Sequence, residues 1–163
     1  MAPPKFRPSA LLEARERAGL TQLQLATLAE NATSSQPSGS SQAAAEETTR
    51  RIRTWDSRIR AWERGIDAPS APYIPTLAQL LDLSPLSLFD VDPAAPSFTA
   101  LRMAAGLTLQ ALADRTGVPY TSLHRMVRGV TQMPAGAAGR LATALGVTPV
   151  SYTHLTLPTK RIV

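Results

Sequence analysis

The sequence predicts an all-α chain of two small helical bundles in tandem, the first carrying a flexible insertion. Three observations lead there. Between Ala105 and Gly129 two short apolar-periodic stretches flank a tight turn, which is helix-turn-helix spacing. The same signals occur earlier in the chain under two constant offsets, so one module is expected twice. Aromatic residues make up only 5% of the 163, which leaves Leu, Ala, Val and Ile to fill the cores, an alphabet suited to helix packing.

From the amino end, residues 1–8 (MAPPKFRP) are Pro-rich and carry Lys5 and Arg7. They are expected to be a flexible arm; a frayed terminus is the commoner reading, and a basic arm following a minor groove is the alternative. The first unit spans 9–92. Ser9 is placed to cap a helix bearing Leu11, Leu12, Ala14, Arg15 and Ala18, stopped by Gly19. Thr21 opens the next helix, and Gln24 three residues on completes a capping box. Gln22 stands at the first helical position, where its amide and the free backbone N–H groups would face a phosphate.

Residues 31–42 (NATSSQPSGSSQ) lack apolar periodicity and read as a flexible loop. The helical signal returns from Ala43 to Gly65, where Ile52, Trp55, Ile59 and Trp62 form one apolar stripe and six arginines occupy other faces. As one continuous helix this would be roughly 33 Å long. Pro69, Pro72 and Pro75 make a stiff connector to a last helical segment, Thr76 to Phe89, and residues 93–96 are a short linker.

The second unit spans 97–149. Thr108 caps an apolar run (Leu109, Leu112, Ala113) that Gly117 stops. Val118 and Pro119 suit an anchor and the first position of a following helix, whose Leu123, Met126 and Val127 recur at buried spacing before Gly129 closes it. The register between the units follows from the numbering. Arg15 to Arg102, Gly19 to Gly106, Thr21 to Thr108 and Leu25-Ala26 to Leu112-Ala113 share a shift of 87. Ile59 to Leu123, Gly65 to Gly129, Leu77-Ala78 to Leu141-Ala142, Leu81 to Leu145 and Pro85 to Pro149 share 64. The difference between 87 and 64 places a 23-residue insertion, around 31–54, in the first unit.

These residues carry a resemblance. Gly106-Leu107-Thr108, Leu112-Ala113, Gly117-Val118, Leu123 and Gly129 are similar to the motif of the phage-repressor (Cro/CI, or XRE) family. That motif runs Gly-Leu-Thr-Gln, Leu-Ala, Gly-Val-Ser, an apolar residue and a late Glu-x-Gly. Leu109 replaces its Gln, Pro119 its Ser and Val127 its Glu. In the first unit Ala18-Gly19-Leu20-Thr21-Gln22 and Leu25-Ala26 are intact. After the insertion, Ile59, Trp62-Glu63-Arg64 and Gly65 resemble the family's Ile-Ser-x-Trp-Glu-x-Gly, with Arg60 in place of Ser. Thr76 to Phe89 resembles the last helix and its Leu-Gly-Val-Ser ending, with Asp82 in place of Gly. The resemblance implies lambda-repressor-like bundles and a sequence-specific, double-stranded DNA-binding transcriptional regulator. It also implies that Gln22 reaches a DNA phosphate, a contact that Leu109 lacks.

Residues 150–163 (VSYTHLTLPTKRIV) do not continue the repeat. They resemble a translated transposase-type sequencing adapter, GTC TCT TAT ACA CAT CTG ACG CTG CCG ACG encoding Val150 to Thr159. The expectation is a non-native tail on a truncated second unit, the alternative a short β-prone tail; His154 therefore carries no functional weight.

Seventeen Lys and Arg against twelve Asp and Glu give +5 and a pI near 10.4, which favours a polyanionic partner. The preference for Arg over Lys suits bidentate phosphate or guanine contacts, although a GC-rich genome also enriches Arg, Ala, Gly and Pro. The absence of cysteine excludes disulfides and thiolate metal sites. No apolar run approaches a membrane span and no signal-peptide core is present, so a cytoplasmic, nucleoid-associated protein is expected. With no glycine-rich phosphate loop, no nucleophile with its base and no paired carboxylates, no enzyme, cofactor or metal is expected.

In a helix-turn-helix, exposed residues early in the second helix face base edges while the first helix crosses the backbone. In the second unit these are Tyr120, Thr121, His124 and Arg125, with Ser122 beside them and Arg128 nearer the backbone. The shift of 64 gives Asp56, Ser57, Arg60 and Ala61 in the first unit, flanked by Trp55, Arg58 and Arg64. Arg60 and Arg125 are the guanine-reading candidates, Thr121 can meet a thymine methyl, and Asp56 can accept from cytosine N4. The plainer reading of each arginine is a solvated or carboxylate-paired surface group. Trp55 and Trp62 are expected in the core. The competing function is a protein-interaction scaffold or antitoxin-like module with reduced DNA binding; a homodimer or protein partner, and a role in plasmid or chromosome maintenance, stay open.

Overall fold

Side-chain caps and left-handed residues set most helix ends in the computed structural model, which describes residues 4–35, 41–131 and 136–147. Among these residues the chain is mostly helical, with eight α-helices. The first four are α1 (Pro8–Arg17), α2 (Gln22–Thr33), α3 (Gln42–Glu63) and α4 (Tyr73–Leu80), followed by a 3-10 turn at Pro85–Leu88. The others are α5 (Phe98–Ala104), α6 (Leu109–Thr116), α7 (Tyr120–Val127) and α8 (Ala138–Leu145). Two short strands, β1 (Lys5–Phe6) and β2 (Phe89–Asp90), pair antiparallel with Lys5 opposite Asp90.

The caps predicted at Thr21 and Thr108 are present, and Ser97 adds a third. The Thr21 hydroxyl accepts from the Gln24 N–H (3.1 Å) while Gln24 Oε1 accepts from the Thr21 N–H (2.8 Å), closing the capping box at the start of α2. Thr108 accepts from the Ala111 N–H and Ser97 from the Ala100 N–H. Gly117 ends α6 at φ +70°, the left-handed conformation a side chain resists. After α4 that conformation falls to Asp82 (φ 51°), which stands 64 residues before Gly146 (φ 68°) after α8.

Apolar side chains gather into two cores. The first holds Leu11, Leu25, Trp55, Ile59, Trp62, Leu77 and Phe89, drawn from α1 to α4 and the strand that follows. The second holds Leu101, Leu112, Val118, Leu123, Met126 and Leu141 from α5 to α8. Each buried Leu or Ile contributes about 1.5–3 kcal/mol relative to leaving it in water. The cores meet through α4, α5 and the 3-10 turn: Leu86 packs on the second and Met103 on the first. Gly106 lies against Pro75, where an added Cβ would stand 2.6 Å from Pro75 Cγ.

Several expectations need correction. Residues 1–8 are not a free arm throughout, because Phe6 is buried against Phe89 and Arg7 donates its N–H to Leu88 O at 2.8 Å. Ser9 is not a cap; α1 starts one residue earlier at Pro8, whose fixed φ suits the first helical position. Pro119 likewise precedes α7 rather than opening it. Helix reaches a little into the stretch expected as a flexible loop, where α2 continues to Thr33 and α3, capped by Ser41, starts at Gln42; from there α3 runs unbroken to Glu63, over the span where the helical signal from Ala43 predicts it. Buried Glu30 pairs with Arg51 (3.2 Å) and ties the two helices together there. Residues 36–40 of the expected loop, and the whole tail 150–163, lie outside the described residues. So does the end of the second unit past Val147.

Candidate nucleic-acid interface

Helix α7 is amphipathic in the sense a reading helix requires. Leu123 and Met126 are buried, and Val118 anchors the turn before them. Tyr120, Thr121, His124, Arg125 and Arg128 are all exposed along the opposite stripe, with Ser122 half-buried at its edge. The tight turn from Gly117 to Pro119 places the first turn of α7 at a free helix end. Tyr120 and His124 stack on each other with centroids 6.0 Å apart and planes at 19°.

The corresponding part of α3 has the same inside and a different outside. Trp55, Ile59 and Trp62 face the core, with the Trp rings packed edge to face (6.2 Å, 86°). Ser57, Arg58, Arg60 and Arg64 are exposed and Asp56 is half-buried. Arg60 Nε donates to Asp56 Oδ2 at 2.9 Å, one turn back on the same helix. Arg58 Nη1 donates to the Tyr73 hydroxyl at 2.7 Å, with the guanidinium 5.1 Å from the Tyr73 ring centroid. Residues 56–61 lie in mid-helix, with 14 helical residues (42–55) before them, or about 21 Å.

Gln22 faces inward to a partner that sequence reasoning missed. Its Nε2 donates to Glu63 Oε2 at 2.6 Å, and Arg15 grips the same carboxylate through Nε (2.6 Å) and Nη2 (3.2 Å). Hydrogen bonding to Glu63 raises the Arg15 pKa, with desolvation acting against it. The readable signal was Arg15 itself, an arginine on the first helix that recurs 87 residues on as Arg102. Among the described residues no group of three or more His, Cys, Asp or Glu is placed to hold a metal, and no helix is long and apolar enough to cross a membrane.

A family model described as a helix-turn-helix domain matches residues 98–155. The match covers α5 to α8 and runs on past Pro149 into the segment expected to be a non-native tail. No curated protein and no solved structure matches the chain. The α6–turn–α7 geometry and the family match agree on the second half, and they make double-stranded DNA the partner class to test first.

Proposed function

We propose that the chain is a sequence-specific double-stranded DNA-binding transcriptional regulator of the Cro/CI (XRE) type, made of two tandem helix-turn-helix units. The observation that carries this reading is α7, a free-ended helix whose exposed stripe of Tyr120, Thr121, His124, Arg125 and Arg128 stands over buried Leu123 and Met126 within the matched range. Arg125 is the group best suited to guanine, and Arg128 to a phosphate. The tandem arrangement draws support from paired local features. Gly19 and Gly106 have φ of 70° and 73°, Gly65 and Gly129 68° and 69°, each pair at the expected offset.

A second reading has its own observation. In the first half Arg60, Arg58 and Gln22 are all engaged with groups of this chain, and α3 does not present a free N-terminal end. That favours a protein-interaction role for this half, in an antitoxin-like or dimeric assembly, beside a second half that reads DNA. The deciding experiment is selection of bound sequences from random duplex DNA with the full chain, repeated across salt concentrations. A regulator of the proposed kind yields an enriched sequence and a steep loss of affinity with salt; a scaffold yields neither.

A further inference from the structure

Two arginines, Arg15 on α1 and Arg102 on α5, make the same backbone contact and differ in what else they meet. Arg15 Nη1 donates to Leu20 O at 2.7 Å and Arg102 Nη1 to Leu107 O at 2.6 Å. Arg15 then closes on Glu63, with Gln22 on the same carboxylate. At the matching offsets from Glu63 and Gln22 stand Val127 and Leu109, whose side chains accept nothing. Arg102 Nε is sealed from water without any hydrogen-bond partner, while the residue as a whole is half-buried. Burial lowers the Arg102 pKa with nothing opposing it, yet a guanidinium stays charged at neutral pH. Within 98–147 the single acid is Asp114, against five arginines (102, 115, 125, 128 and 140), and Asp114 already accepts from the Gln110 amide.

We propose that Arg102 is an oxyanion receptor, and that a backbone phosphate of bound DNA supplies the negative charge that Glu63 supplies to Arg15. The inference rests on the DNA-binding reading above. A guanidinium makes charge-assisted hydrogen bonds to phosphate oxygens, and with Nη1 on Leu107 O and Nε sealed, Nη2 is the group left to meet one; no carboxylate among the described residues offsets the charge. Leu107, held by Arg102, leads directly into α6, the helix that crosses the DNA backbone in a helix-turn-helix. Arg125 and Arg128, exposed on either side of Val127, make the surroundings positive and favour a polyanion.

The test is a salt titration of binding to a mixed-sequence duplex by the full chain, Val127→Glu, Val127→Gln and Arg102→Gln. Val127→Glu brings the missing carboxylate to Arg102. It should lower the slope of log K against log salt by about 0.9, weaken all sequences alike, and raise the melting temperature of the free protein. Arg102→Gln should lose the same slope, and Val127→Gln, which brings no charge to Arg102, should keep it. A slope lowered as much by Val127→Gln as by Val127→Glu, or an unchanged slope in both charge variants, would overturn the proposal while leaving DNA binding intact. Failure of the wild type to bind duplex in a salt-dependent way would overturn both. Stabilisation by polyglutamate or by inorganic phosphate that Val127→Glu abolishes, with the DNA slope unchanged, would assign Arg102 to an acidic protein or a free anion and overturn it as well.

Discussion

The two halves of the chain bury their apolar residues in the same register and treat their charges in opposite ways. In the first, four of the cationic groups around α3 are engaged within the chain, Arg15 on Glu63, Arg51 on Glu30, Arg60 on Asp56 and Arg58 on Tyr73, while Arg53 and Arg64 stay exposed. In the second, the exposed arginines of α7 share 98–147 with one acid, and half-buried Arg102 has no carboxylate partner among the described residues. The first half therefore carries an elongated helix pair with much of its charge paired, and the second an exposed cationic face. Fold is set by where Leu, Ala, Ile and Trp recur; partner choice is set by which charges are left over.

The largest effect expected from this contrast is on stability. Glu63 is 4% exposed at its side chain and satisfies both Arg15 and Gln22, so Glu63→Ala takes the counter-ion from the largely buried Arg15 guanidinium, which keeps only Leu20 O, and should lower unfolding free energy by about 3–5 kcal/mol. Val127→Ala, at the matching position, removes only two methyl groups and should cost about 1 kcal/mol. Urea unfolding of the two variants side by side measures the difference. Equal losses would mean that the Arg15–Glu63 pair adds nothing beyond packing.

The junction gives the next effect. Gly19 and Gly106 share a left-handed φ, so an alanine at either is strained by about 1–2 kcal/mol. Around Gly19 the space is open, whereas at Gly106 the new Cβ would collide with Pro75, adding about 1–3 kcal/mol of overpacking. Gly106→Ala should therefore melt lower than Gly19→Ala, and thermal unfolding of both reports whether the halves lean on each other through Pro75. Identical melting points would argue that this contact opens without cost.

For recognition the ordering is reversed, with the second half more sensitive. Arg125→Ala should remove about 1–3 kcal/mol of discrimination at one base pair in a selection from random DNA. Arg60→Ala should change the profile less, because its guanidinium must first leave Asp56, an exposed pair worth roughly 0.3–0.5 kcal/mol, and because α3 offers no free end to a groove. An equal or larger change from Arg60→Ala would restore the first half as a full reader.

How much of this was legible in the sequence depends on how far apart the interacting residues are. The caps at Thr21 and Thr108, the stop at Gly117 and the stripe of Trp55, Ile59 and Trp62 are local or periodic, and each stands where the residues imply. The exposed positions of α7 followed from the same periodicity. The orientation of Gln22 did not, because it is decided by Glu63, 41 residues on and across the insertion. The strand pair of Phe6 with Phe89 is too short and too distant to leave a pattern. The polar residues at 31–33 hid the last turn of α2 because the Glu30–Arg51 pair, rather than apolar spacing, ties that end to α3.

The smallest effect concerns the residue after the last helix of each half. Asp82 is the sole non-glycine with positive φ among the described residues, at 51°, and Gly146 takes 68° at the matching place. Asp tolerates this region better than most residues, since its short side chain can bond locally to the backbone. A Cβ on Gly146 would meet nothing within 4 Å, so only backbone strain opposes a side chain there. Gly146→Asp should thus cost under about 1 kcal/mol, and Gly146→Val more, because β-branching makes a positive φ a true outlier. Denaturant midpoints of the two variants check the ranking. If Asp proved as damaging as Val, the left-handed residue at 82 would owe its conformation to its own surroundings, and the correspondence between the two helix ends would lose one of its supports.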